Sequence, residues 1–197
     1  FVPSRGLGDV YKRQFFNGFN FFFAIRLKFI RGIPDFFSHY IKNTIVFFIY
    51  MKVSIIGTGK IGTDLLYKLL KIPEYEVVAF VGRRDVIKNI PKNVTYYSNG
   101  INFFIDNPKS CDIVFDCTDA YSAKENAKVF RNQGIYTIDL TPSKIGRLCV
   151  PNINCDCLYH IDNVNMVTCG GQVSLPLLKY LKSKCNISYA EVVSQIS

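Results

Sequence analysis

With 197 residues, 49% of them hydrophobic and 20% charged, the chain is long enough to bury a core and to form one domain, at most two. Its net charge of +9 is unevenly spread: residues 1–50 carry 7 Lys/Arg against 2 Asp/Glu and 12 of the 17 Phe, whereas the rest carries 17 against 13. With the charge concentrated in the head and no basic helix or aromatic-interleaved RNA motif, nucleic-acid binding is excluded as its meaning. Seven cysteines without a CxxC pair, and only two histidines, leave a zinc site little to build on, so no metal is expected; they read as reduced thiols of a cytoplasmic protein.

Residues 1–14 show neither helix nor strand periodicity, and residues 15–50 form an aromatic stretch dotted with Lys and Arg. Its longest charge-free run, Phe15 to Ile25, is short of the roughly 20 residues that span a bilayer. No small-residue cleavage site follows that run, so it does not read as a secretory signal. The head is expected to be non-native or disordered upstream sequence, with Met51 as the true start and Pro3 to Gln14 resembling adapter read-through. The alternative is an amphipathic segment lying on a membrane surface.

The pattern changes at Met51. Lys52 to Ile56 is a short apolar run suited to a buried parallel strand. Gly57-Thr58-Gly59-Lys60-Ile61-Gly62 follows directly, and then Leu65, Leu66, Leu69 and Leu70 recur at helical spacing. Strand, GxGxxG and helix in that order form the dinucleotide-binding fingerprint. Gly57 permits the tight turn, Gly59 the approach of a pyrophosphate to the backbone, and Gly62 the close packing of helix on strand. The phosphates would sit at the helix N-terminus, where unpaired amides and the helix dipole favour an anion.

A second strand, Glu76 to Val81, ends in Gly82-Arg83-Arg84-Asp85. An acid at this tip commonly holds the ribose 2′-hydroxyl of NAD, and an arginine can instead face the 2′-phosphate of NADP. Asp85 comes late and Arg83 is a candidate cofactor contact, so NAD is expected with NADP open; solvated loop charge is the plainer reading of both arginines. Asp112–Asp116 and Ile135–Asp139 read as further strands, separated by a helix over Ser122–Gln133 that Gly134 ends. The alternation predicts an α/β fold, a Rossmann-type doubly wound parallel sheet. Ligands bind beyond the carboxyl ends of such strands, which places Cys117-Thr118-Asp119 and Leu140-Thr141-Pro142 at the ligand edge, with Thr118 a candidate cofactor contact; an ordinary turn is the alternative.

Asn163 to Cys169 reads as a strand leaving the core, Gly170-Gly171 as a sharp turn, and Val173 to Lys182 as a helix that tolerates Pro176 only in its first turn. Cys169 then sits where a strand end meets a helix N-terminus, a setting that favours thiolate over thiol and offers free amides to an oxyanion. It is the candidate nucleophile, against the commoner fate of a buried, inert cysteine.

Together the runs Val53 to Asp64, Asp112 to Thr118, Ile138 to Pro142, Asn163 to Gln172 and Tyr189 to Val193 resemble the CoA-acylating acetaldehyde dehydrogenase family over nearly all of residues 51–197. The resemblance implies oxidation of acetaldehyde, or a short aldehyde, with NAD and coenzyme A, giving the acyl-CoA. It implies that Cys169 carries the acyl thioester and that Thr58, Gly59, Lys60 and Ile61 hold the NAD phosphates. It also implies a homodimer and a partner, the aldolase that releases acetaldehyde from 4-hydroxy-2-oxovalerate. Residues 51–197 are then the NAD-binding domain with the nucleophile and the start of a second domain, the chain ending before the rest of that substrate and dimerisation domain and inactive alone. The alternatives are a semialdehyde dehydrogenase, another Rossmann reductase, or an inactive nucleotide-binding module.

Overall fold

The computed structural model describes residues 51–84, 90–155 and 161–193. The expectations about the head, Asp85, Cys157 and His160 lie outside the described residues. In chain order the elements are β1 (Met51–Ile56), α1 (Lys60–Leu69), β2 (Tyr75–Val81), β3 (Tyr96–Tyr97), α2 (Asn102–Asp106), β4 (Ile113–Asp116), α3 (Ala120–Gln133), β5 (Tyr136–Asp139), β6 (Arg147–Cys149), α4 (Pro151–Asn154), β7 (Asn163–Met166) and α5 (Cys169–Lys184).

The strands form one sheet in the order β3-β2-β1-β4-β5-β7-β6. The pairings β1–β2, β1–β4, β2–β3, β4–β5 and β5–β7 are all parallel. Strand order therefore reverses between β1 and β4, the switch point at which a doubly wound sheet opens a crevice. The four strands expected between residues 52 and 139 are all present, each within a residue or so of its predicted ends.

Burial explains the sequence pattern. Every residue of β1 except Lys52 is buried, as a central parallel strand covered on both faces requires. On α1 the buried residues are Gly62, Leu65, Leu66 and Leu69, the i, i+3, i+4, i+7 stripe of a helix lying on a sheet. Phe104 meets Phe103 and Phe130 edge to face, with ring centroids 5.0 Å apart in each pair; α2 and α3 are tied together there. Asp119 caps α3 by accepting from the amides of Tyr121 and Ser122, and Gly134 closes it in the left-handed region at φ 67°.

The described residues fall into two compact units. One comprises 51–148 and 161–167; the other comprises 149–155 and 168–193, and holds α4 and α5. In the second, Gln172 Nε2 donates to the Cys149 carbonyl at 2.9 Å and Lys179 Nζ to the Asn152 carbonyl at 3.0 Å. Among the described residues, no helix is long and apolar enough to cross a membrane.

One expectation is corrected here. Gly170-Gly171 is not a turn: α5 begins at Cys169 itself, both glycines are helical, and Pro176 lies in the helix interior. Thr168 makes this possible. Its hydroxyl accepts from the Gly171 amide at 3.4 Å and its carbonyl from the Gln172 amide at 2.9 Å. First-turn amides need no i−4 partner, so two glycines cost less there than in mid-helix. Pro176 forgoes one backbone bond, to the Gln172 carbonyl.

Candidate functional site

Gly57 leaves β1 with φ +102°, and a Cβ there would lie 2.5 Å from the carbonyl carbon and oxygen of Cys117 and 2.8 Å from the Thr118 amide nitrogen. The ends of β1 and β4 therefore touch backbone to backbone, and only glycine fits. A Cβ on Gly62 would lie 1.9 Å from the Gly57 carbonyl oxygen, so the helix is packed directly on the turn. Gly59 is different: a Cβ there would meet nothing within 4 Å. It is the N-cap of α1, with no side chain capping the helix. The start of α1 thus opens at Gly59, and a helix N-terminus open in this way is the arrangement that accepts a phosphate. A cavity of about 600 Å³ lies against this turn, lined by Thr58, Gly59, Lys60, Thr63, Tyr67 and Arg84 among others. These residues fit a dinucleotide: a cradle with no Cβ at Gly59, with Lys60 and Arg84 in its lining and the lining acid, Asp64, paired with Lys68. The Ile61 side chain is exposed, so its part in the cradle is its backbone.

At the tip of β2, a Cβ on Gly82 would sit 2.7 Å from Thr58 Oγ1 and 2.8 Å from the Tyr96 hydroxyl. The strand tip and the glycine turn are in contact there. The two arginines diverge. Arg83 Nη2 donates to Asp119 Oδ2 at 3.3 Å and to Ser122 Oγ at 3.0 Å, on the first turn of α3. Arg84 is among the residues that line the cavity, and its carbonyl accepts from the Tyr96 hydroxyl.

Beyond β4 and β5 the same turn occurs twice. Asp116 Oδ1 accepts from the Thr118 amide at 3.0 Å and from the Thr118 hydroxyl, and its Oδ2 accepts from Asn126 Nδ2 at 2.9 Å. Asp139 Oδ1 accepts from the Thr141 amide at 2.7 Å, and its Oδ2 from the Ser143 hydroxyl. Asp116 and Asp139 are register partners, and both are buried. Burial raises the Asp116 carboxyl to about 6; the bonds from Thr118 and Asn126 oppose the rise and the Asp139 charge adds to it. Thr118 is thus committed to Asp116 through both its amide and its hydroxyl.

The cysteines separate by environment. Burial pushes the Cys111 thiol up to about 11. Burial, and then the carboxylates of Asp116 and Asp139, push Cys117 above the usual range. Both stay protonated thiols at neutral pH. Cys169, by contrast, is exposed as the first residue of α5. None of the six described cysteines is in a disulfide. Among the described residues, no group of three or more His, Cys, Asp or Glu is placed to hold a metal.

Gly57 to Gly62, Arg83 and Thr118 therefore gather at the neighbouring ends of β1, β2 and β4, while Cys169 belongs to the other unit. Sequence reasoning missed the Asp116–Asn126 pair, whose signal was the repeated Asp-x-Thr at strand ends, and the part of Thr63 and Tyr67 in the cavity wall, for which spacing gave none.

Residues 52–166 match the family model described as the semialdehyde dehydrogenase NAD-binding domain. An acetaldehyde dehydrogenase of Burkholderia thailandensis is 44% identical over 151 residues, covering 74% of this chain and 51% of the relative. One of Bacillus cereus is 41% identical over 152 residues, covering 75% and 50%. The chain thus spans about half the length of these curated relatives. Among solved structures, an aspartate semialdehyde dehydrogenase with NADP from Candida albicans superposes with TM-score 0.55 at 20% identity, covering 68% of this chain and 47% of that one. Aspartate semialdehyde dehydrogenase II from Vibrio cholerae gives 0.56 at 18%, with the same coverage. Both share the fold seen here. With more than half its length matched by the family model, and with the glycine turn, sheet order and cavity of a dinucleotide fold, the chain belongs to the semialdehyde dehydrogenase NAD-binding domain family.

Proposed function

We propose that this chain is the nucleotide-binding and nucleophile-bearing part of an aldehyde dehydrogenase that converts acetaldehyde, or another short aldehyde, to its CoA thioester. The observation that carries the reading is the exposed Cys169 at the first position of a capped helix, in a chain 41–44% identical to acetaldehyde dehydrogenases. The Cys169 thiolate attacks the aldehyde carbonyl carbon, forming a C–S bond and an oxyanion. The Gly170 amide at the helix start serves that oxyanion; the Gly171 amide is already engaged by Thr168. Bound in the Gly57–Gly62 cradle through the backbone of Thr58, Gly59, Lys60 and Ile61, NAD(P) supplies a hydride acceptor. Loss of hydride leaves an acyl thioester on Cys169. The thiol of coenzyme A then attacks that carbonyl and Cys169 departs as thiolate, the same sulfur serving as nucleophile and leaving group. The same reading assigns a homodimer and, as partner, the aldolase that yields acetaldehyde from 4-hydroxy-2-oxovalerate.

The second reading is a semialdehyde dehydrogenase, favoured by the family model itself, in which phosphate or water takes the acyl group. The half-reaction separates the two. Incubated with acetyl-CoA, the chain should gain one acetyl group on Cys169 with release of free CoA, as read by peptide mass spectrometry. Cys185, also exposed, is the internal control, and Cys169→Ala should abolish the labelling. Acetyl transfer from acetyl phosphate but not from acetyl-CoA would favour the second reading. Equal labelling of Cys169 and Cys185 would mark ordinary thiol reactivity and remove the nucleophile assignment.

A further inference from the structure

We infer that Cys149 and Cys155 form a reversible dithiol–disulfide site, oxidised by peroxide, that sets how firmly the helix beginning at Cys169 is held. Cys149 ends β6 and Cys155 directly follows α4, so one helical turn carries the chain from one thiol to the other. Their sulfurs lie 3.5 Å apart, and both residues are buried. A disulfide bond of about 2.05 Å asks the two sulfurs to approach by only about 1.5 Å. The inference does not rest on the role proposed for Cys169.

The two thiols are unequal. The hydrogen bond from Cys155 draws the Cys149 thiol below its ordinary value, against the burial that would raise it, whereas burial pushes Cys111 up to about 11. Thiolate is the form that a peroxide oxidises. The Cys149 thiolate attacks one peroxide oxygen, the O–O bond breaks, and the sulfur becomes a sulfenic acid. The departing hydroxide takes the Cys155 proton and leaves as water. The Cys155 thiolate then attacks the Cys149 sulfur; the S–S bond forms, the S–O bond breaks, and the second hydroxide leaves as water with a solvent proton. The pair has lost two electrons, and one peroxide has been reduced to two waters. α4, between the thiols, is a single turn with no buried residue, the kind of element that opens locally and admits a molecule as small as hydrogen peroxide.

The same segment carries α5. Gln172 Nε2 donates to the Cys149 carbonyl at 2.9 Å, and Lys179 Nζ donates to the carbonyls of Asn152 at 3.0 Å and Ile153 at 3.4 Å. α5 buries no residue of its own, so bonds of this kind weigh heavily in holding it. All three accepting carbonyls lie within residues 149–155, the loop that the disulfide closes. Closing it removes conformational freedom from the segment and fixes the carbonyls that Gln172 and Lys179 reach. Gln172 stands one helical turn from Cys169, so oxidation of the pair is felt at the start of α5.

Titration of the reduced 197-residue chain with hydrogen peroxide tests this. After quenching, the remaining thiols are alkylated in denaturant, and the chain is cut before its aspartates without reduction. The fragment 139–155 holds Cys149 and Cys155 and no other cysteine. It should appear unalkylated and lighter by two hydrogens, and dithiothreitol before alkylation should restore two alkyl groups. Hydrogen exchange at the Gln172 amide should slow about tenfold in the oxidised chain. Cys155→Ser should remove both changes and Cys185→Ser neither, with circular dichroism as the check on folding. The map of the unaltered chain decides the pairing whether or not a variant folds. A fragment 139–155 that keeps two alkyl groups after peroxide has consumed Cys169 and Cys185, or that is joined to another fragment, overturns the pairing. A Cys149–Cys155 bond with unchanged exchange at Gln172 overturns the hold on α5.

Discussion

Helices α3 and α5 are 14 and 16 residues long, and each begins at a capping side chain, yet they are used in opposite ways. α3 buries Ala123, Asn126, Ala127 and Phe130, and its Asp119 cap makes two backbone bonds of 3.0 and 2.9 Å. α5 buries no residue and leaves Leu175, Leu177, Tyr180 and Leu181 exposed, with one long cap bond from Gly171. The lesson is that a cap fixes where a helix starts, while burial decides how firmly it is held. A shared capping device therefore says nothing of shared stability.

The contrast can be broken in four places. Phe130→Ala removes a fully buried ring packed on Phe104 and should cost about 3–5 kcal/mol by urea unfolding. A loss below about 1 kcal/mol would mean that α3 is not held by its buried face.

The next effect is pH-dependent and comes from the burial of Asp116, against which α3 packs Asn126. The folded Asp116 carboxyl titrates at about 6, above the ~3.9 of an unfolded aspartate. The folded state binds that proton more tightly, so the stabilisation is complete below about pH 4 and is lost as pH rises through about 6. The difference corresponds to roughly 2–3 kcal/mol. Asp116→Asn should flatten this limb of the stability–pH curve, and an unchanged fall in the variant would reassign it to another group.

On α5 the effects should be smaller. Thr168→Ala removes the hydroxyl that holds the Gly171 amide and should cost about 0.5–1 kcal/mol. Hydrogen exchange at Gly171 and Gln172 reads it; unchanged protection would show that the cap does not set this helix start. Leu177→Ala, at 59% exposure, should change stability by less than about 0.5 kcal/mol. A larger loss would reveal a covering contact for α5.

The same two helices show what a sequence can disclose. β1, α1, β2, β4, α3 and β5 were legible because each couples a periodic apolar pattern to a local stop signal, as Gly134 does for α3. The glycine turn was legible because its residues are contiguous. The start of α5 was not: two glycines and a proline all argue locally against a helix, and a capping threonine one position earlier outweighed them. The division of labour between Arg83 and Arg84 was hidden too, because it depends on Asp119, which lies 36 positions from Arg83. The paired turns of Asp116 and Asp139 were visible as a repeated Asp-x-Thr, but their adjacency is a fact of strand order.

Gly59 carries a last consequence, for variation under selection. Positions 57 and 62 have no room for any side chain, so a library sorted for expression or solubility would return glycine there whether or not the protein binds anything. Position 59 has room to spare, and its φ of −74° suits any residue. Sorted for folding alone it should drift; sorted for nucleotide capture it should return to glycine. One codon thereby distinguishes a scaffold kept for its shape from one kept for its ligand.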